Sequence, residues 1–295
     1  MKIVKHAAAG LLAGAAFLPT GAALAAWEVN LPVGVTELSR EIHGLHMLIF
    51  WICVLIAAAV FGAMIYSIVK FRHSQGAVPA NFDHSTKAEI IWTAIPVLIL
   101  VGMAIPAAAT LVKIEDTRDS DLSIKVTGYQ WKWHYEYLGQ DVKFFSTLAR
   151  KSDAARQVGS GIDPYTVENY LLEVDQPLVV PVGAKVRVLL TAADVIHAWW
   201  VPAFGMKKDA IPGFVNELWF RADTPGTYRG QCAELCGRDH GFMPVVVEVK
   251  SKEEYESWLA DRKGGSKPAS APAPEAAAPA EQTENAEPAT ATAAE

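Results

Sequence analysis

The chain has 295 residues, of which 51% are hydrophobic and 20% charged, with a formal net charge of -6 at pH 7. That length could hold two ordinary domains, and an acidic balance without any basic, groove-reading motif excludes a nucleic-acid-binding class. The hydrophobic excess lies mostly before residue 113, so membrane-embedded and water-soluble parts are expected in that order.

Residues 1–26 carry Lys2 and Lys5, then an uncharged Ala/Leu-rich run, then Ala23-Leu24-Ala25. This reads as a secretory signal peptide, because the apolar core is short and ends in a small-x-small cleavage pattern. An extracytoplasmic segment is expected over 27–46. Residues 47–69 and 90–112 are free of charge, and at about 1.5 Å per residue each can cross a hydrocarbon layer of about 30 Å as a helix. The joining loop, 70–89, carries Lys70, Arg72 and Lys87, whereas Glu28, Glu37 and Glu41 precede the first span. The positive-inside rule places that loop in the cytoplasm and both outer ends across the membrane. Pro96 and Pro106 are tolerated in a span whose freed carbonyls neighbouring helices can satisfy.

Residues 113–262 are the water-soluble part. "SIKVTGYQWKWHYEY" alternates, with Trp131, Trp133, Tyr135 and Tyr137 on one face and Lys132, His134 and Glu136 on the other, the period of a strand. "YLLEV", "LVVPVG", "KVRVLLT", "ELWFRAD" and "MPVVVEVK" add further strands between turn residues, which predicts an antiparallel sandwich or barrel. "RKSDAARQVGSGIDPYTVEN" is expected to be an extended loop and "SKEEYESWLADR" a short amphipathic helix. Residues 263–295, rich in Ala, Pro and Glu without large apolar side chains, are expected to be a disordered tail.

Two of the three cysteines stand in "CAELCGRDHGFM". A close pair outside the cytoplasm is often a disulfide, but a disulfide has no use for His240 and Met243. Zinc could take Cys232, Cys236, His240 and His197, yet zinc has little use for a thioether. Thiolate, imidazole and thioether together point to copper. A single blue-copper site needs one cysteine; two thiolates can each bridge two coppers, leaving Met243 and a backbone carbonyl between the cysteines as one weak ligand for each metal. Cys53 lies in the first apolar run and reads as a small apolar residue.

"HAWWVP", "GMKKDAIPG", "GQCAELCGRDHGFMP", "GYQWKWHYEY", "AEIIWTAIP" and the two-helix hairpin resemble subunit II of haem-copper cytochrome c oxidases, over about residues 30–260. The resemblance implies a transmembrane two-helix hairpin followed by an all-β, cupredoxin-like Greek-key sandwich or barrel. It implies a dinuclear copper centre, CuA, with His197, Cys232, the Glu234 carbonyl, Cys236, His240 and Met243 as ligands. Such a subunit receives electrons from cytochrome c and passes them to haem in subunit I of an oxidase in a bacterial inner membrane, with the copper domain on the periplasmic side.

Four further roles follow from the same resemblance. Trp131 is the residue through which electrons arrive, although core packing is the alternative for an aromatic on this face. The Glu234 carboxylate binds magnesium or manganese at the contact with subunit I. Glu89 marks the mouth of a proton pathway, and as a carboxylate in a helix's first turn it also suits the helix dipole. Glu136, Asp175 and Asp194 are the docking acids for a basic cytochrome c. A quinol-oxidising relative lacks the copper ligands, and a copper carrier or thiol-disulfide protein leaves Glu89, Trp131 and the hairpin without purpose.

Overall fold

A computed structural model of the protein describes residues 30–264, so the expected signal peptide and nearly all of the expected tail lie outside the described residues. Two long helices come first, α1 (Glu37–Lys70) and α2 (Thr86–Ile114). Their most apolar stretches have mean hydropathies of 2.8 and 2.3 and bury 0% and 6% of their residues within the chain. Lengths and surfaces of this kind suit lipid and neighbouring subunits rather than water.

α1 starts well before the apolar run, so the expected 27–46 segment is partly helix. A capping box explains the start: Thr36 Oγ1 accepts from Ser39 N at 3.0 Å while Thr36 N donates to Ser39 Oγ at 3.1 Å. The same threonine donates to Phe204 O at 2.9 Å, and Val35 N donates to Ala203 O at 2.8 Å. Gly34 has to be a glycine here, because a Cβ would lie 2.2 Å from Ala203 O. The hairpin is thereby tied to the soluble domain at the helix cap. Arg40 pairs with Asp223, Lys113 with Glu41, and Trp219 Nε1 donates to Lys113 O at 3.1 Å.

The soluble domain is a sandwich of two five-stranded sheets. One holds β1 (Leu122–Tyr129), β2 (Lys132–Tyr137), β3 (Val142–Ser146), β5 (Val186–Ala192) and β8 (Asn216–Phe220) in the order β3-β2-β1-β5-β8. The other holds β4 (Leu178–Pro181), β6 (His197–Val201), β7 (Met206–Ala210), β9 (Gly226–Cys232) and β10 (Pro244–Lys250) in the order β4-β10-β9-β6-β7. The sheets are mixed rather than antiparallel throughout, since β1 pairs with β5 and β4 with β10 in parallel. Each parallel pair joins strands distant in sequence, a relation that the alternation of side chains does not encode.

Inward side chains fill the space between the sheets: Ile124 and Val126, Val188 and Leu190, Val245 and Val247, all essentially fully buried. Tyr137 staples the layers, its hydroxyl donating to Val179 O at 2.7 Å and accepting from Val179 N at 2.9 Å. Trp133, Tyr135 and Tyr137 are core residues, whereas Trp131 sits in the turn before β2 and is only half-buried.

Two expectations are corrected between β3 and β4. Residues 150–168 are not an extended loop but contain α3 (Arg150–Ala155) and a helical turn at Pro164–Thr166. "YLLEV" forms no strand. Leu171 has φ 62°, outside the β region, and only Val174 makes a bridge, to Leu148. α4 (Lys252–Gly264) is the expected amphipathic helix, reaching just past the expected start of the tail.

Candidate metal centre

The centre lies where β6, the end of β9 and the turn before β10 meet. His197 opens β6 and is fully buried, and Cys232 closes β9 opposite Trp199. Cys232 N donates to Met243 O at 3.0 Å, which closes the loop 232–243 and brings its two ends together. Gly237 (φ 117°) and the helical turn His240–Phe242 fold the intervening chain so that Cys236 and His240 turn back toward Cys232.

Both cysteines are free thiols with sulfurs 3.8 Å apart, far beyond the about 2.05 Å of a disulfide. His197 Nδ1 is 3.9 Å from Cys232 Sγ, His240 Nδ1 is 3.5 Å from Cys236 Sγ, and Cys232 Sγ is 3.4 Å from Glu234 O. The ligand atoms of His197, Cys232 and Cys236 lie within 4.8 Å of one another. Met243 is buried at 1% exposure. Two sulfurs flanked by two imidazole nitrogens, with a carbonyl nearby and Met243 buried beside Cys232 through its backbone, form a donor set suited to a soft or borderline metal. The residues present therefore fit copper.

The surrounding groups fix these donors. His197 Nε2, the nitrogen facing away from sulfur, is 2.9 Å from Asp194 Oδ1, the outer-shell contact that orients a ligating imidazole. Asp194 also accepts from Gln130 N and Val195 N, each at 2.7 Å. Gly128 leaves room for the ring, because a Cβ there would come within 2.8 Å of His197 Cδ2. The Cys236 carbonyl accepts from Gln130 Nε2 at 2.9 Å and from Trp131 Nε1 at 3.2 Å. Trp131 thus touches the backbone of a candidate ligand directly.

The two thiols share one site and do not ionise alike. Burial pushes the Cys232 thiol up, but contacts with His197, with the backbone of Ala198 and Glu234 and with His240 outweigh it and bring it down to about 7. Burial, then the charge on Cys232, push Cys236 up to about 12. Without a metal, one negative charge resists a second beside it. A bound cation removes that conflict, so loading releases protons.

Of the sequence candidates, His197, Cys232, Glu234, Cys236, His240, Met243, Trp131 and Asp194 come together. Glu234 and Asp175 are exposed and Glu136 is half-buried on β2. Asp175 accepts from Thr147 N at 2.7 Å. Glu89 stands exposed in the first turn of α2, and no contact joins it to the centre. Gln130 and Gly128 were missed by residue-type reasoning, although both lie in or beside the "GYQW" run. Asp194, expected as a docking acid, engages His197 through its carboxylate.

Fold and site together define a membrane-anchored, cupredoxin-like protein with a candidate metal site at His197, Cys232 and Cys236. Family models for the periplasmic domain and the transmembrane domain of cytochrome c oxidase subunit II match residues 122–250 and 25–109. The chain belongs to that family. It is 40% identical over 237 residues to a probable cytochrome c oxidase subunit 2 of Rickettsia bellii, covering 80% of this chain and 84% of that one. With cytochrome c oxidase subunit 2 of Cereibacter sphaeroides it shares 36% over 280 residues, covering 87% and 91%. Among solved structures, the periplasmic domain of subunit II of the Bradyrhizobium japonicum oxidase matches at 43% identity with a TM-score of 0.44, covering 50% of this chain and 97% of that one.

Proposed function

We propose that this chain is the electron-transfer subunit of a terminal respiratory oxidase, taking electrons from cytochrome c at a dinuclear copper centre and delivering them to haem in subunit I, where oxygen is reduced to water. The donor set carries this reading: two thiols 3.8 Å apart, each faced by an imidazole nitrogen, with the Glu234 carbonyl beside Cys232 and the buried Met243 joined to Cys232 through its backbone. A pair of coppers held there would supply reversible one-electron storage. Protein donors on every side leave no position for substrate, so no bond is made or broken at the centre.

The chain's own residues do the remaining work. Cys232, Cys236, His197, His240, Met243 and the Glu234 carbonyl would hold the metals, the two thiolates as the strong donors. Asp194 holds the His197 ring. Trp131 receives the electron, supported by its half-exposed position and its hydrogen bond to Cys236 O. Glu136, Asp175 and Asp194 lend negative charge to the surface that meets a basic cytochrome, and the exposed Leu235 and Ile196 offer apolar contact beside the centre. The Glu234 carboxylate takes magnesium or manganese at the boundary with subunit I. Glu89 opens a proton pathway from the cytoplasmic side. This reading places α1 and α2 in a bacterial inner membrane, against other oxidase subunits and lipid, with the sandwich in the periplasm.

In the assembled oxidase, Trp131→Ala is expected to slow electron arrival from reduced cytochrome c by orders of magnitude in stopped-flow traces. Copper content, spectrum and affinity for the cytochrome should stay near those of the parent. Copper loss in that variant would instead make Trp131 a packing residue.

A further inference from the structure

The segment between β3 and β4 departs from the sandwich and returns to it, and its base is zipped. Thr147 N donates to Asp175 Oδ1 at 2.7 Å, Asp175 N to Thr147 O at 3.0 Å, and Ala149 N to Glu173 O at 2.9 Å, with Leu148 bridging Val174 between them. Within the excursion, the buried Ser152 of α3 accepts from Leu171 N at 3.1 Å. Glu173 then pairs with Arg229 at 2.7 Å, on the strand that ends at Cys232. A segment fixed this way can transmit force to whatever it touches.

What it touches is the turn that carries His240. Arg156, just after α3, has its Nε anchored on Asp153 Oδ1 at 2.7 Å. Its Nη1 lies 3.6 Å from Asp239 Oδ1, and its guanidinium carbon lies 4.4 Å from the centre of the Phe242 ring. Asp239 and Phe242 bracket His240, and Phe242 N donates to Asp239 O at 2.9 Å. An aspartate at the start of a helical turn ordinarily accepts from that turn's own amides. Asp239 makes no such bond; it faces Arg156 and, at 3.5 Å, Arg238. The Arg156 and Asp239 side chains are only 23% and 15% exposed, so solvent screens their attraction less than at an open surface. A planar guanidinium can hold a carboxylate at its edge and a ring on its face together, which an ammonium cannot.

We propose that Arg156 is a positioning residue for His240, and that residues 147–175 act as a brace on the metal-bearing turn, in addition to the hold of Gln130 and Trp131 on the Cys236 carbonyl. The inference rests on the copper reading given above.

The test uses the full chain, purified in detergent and loaded with copper, as parent, Arg156→Ala and Arg156→Lys. Arg156→Ala should lose copper to a chelator about tenfold faster or more, the scale of outer-shell contacts. Its EPR hyperfine pattern should change, while unfolding of the metal-free chain stays at the parental midpoint. Arg156→Lys, which keeps the charge beside Asp239 but not the flat contact with Phe242, should fall between the two. Parental copper retention and EPR in Arg156→Ala would overturn the proposal, as would a lower metal-free midpoint with an unchanged spectrum, which marks ordinary packing. Should Arg156→Ala not fold, Arg156→Lys decides by the same readouts. A parent chain that takes up no copper would defeat the copper reading itself, a result distinct from an indifferent Arg156.

Discussion

The hairpin and the sandwich solve opposite problems with the same chain. α1 and α2 present their apolar side chains outward, and almost none of their most hydrophobic stretches is buried within the chain. The sandwich turns Val126, Leu190, Trp199 and Phe220 inward and closes over them. On the proposed reading the hairpin takes its stability from lipid and partner subunits, whereas the sandwich encloses its own core. The proposed metal centre sits on the self-sufficient part, where ligand positions owe nothing to the membrane.

The largest expected effect follows from that placement. Cys232→Ser or Cys236→Ser should abolish the dinuclear EPR signal altogether, because each thiolate is proposed to bridge both metals, while membrane insertion of the hairpin stays intact in a fractionation assay. A residual dinuclear signal in either variant would break the bridging argument. Next in size is the contrast between the two regions themselves. Leu190→Ala opens a cavity in the fully buried core and should cost about 2–5 kcal/mol. Leu98→Ala, at 70% exposed on α2, should shift denaturant unfolding of the sandwich by less than about 0.5 kcal/mol. Comparable losses would mean that the two regions unfold as one unit. Smaller still, Asp194→Asn keeps every proposed ligand but removes the charge behind His197. Competition with a chelator should show copper bound about 10-fold more weakly or worse, and unchanged affinity would leave Asp194 a docking acid alone.

What could be read from the sequence divides along physical lines. Spans and strands announce themselves through short-range periodicity, and the ligand loop through residue chemistry at close spacing, so the hairpin, β5 and β10 and the "CAELCGRDHGFM" site were all legible. Contacts between distant residues were not. The parallel pairing of β1 with β5, the cap of α1 on Phe204 O and the approach of Arg156 to Asp239 depend on chain paths that no local pattern records. "YLLEV" misled because β-type side chains do not reveal a positive φ at Leu171. Trp131 shared the alternation of its three aromatic neighbours, yet β2 begins only after it, so it packs only partly buried at the core's edge, with its indole donating to Cys236 O.

The central claim is that two thiols hold two coppers in one centre, and metal counting with EPR on the copper-saturated full chain tests it most directly. The account predicts two coppers for each chain and the signature of a single unpaired electron shared equally between them. One copper for each chain, with the signal of an isolated blue-copper site, would contradict it.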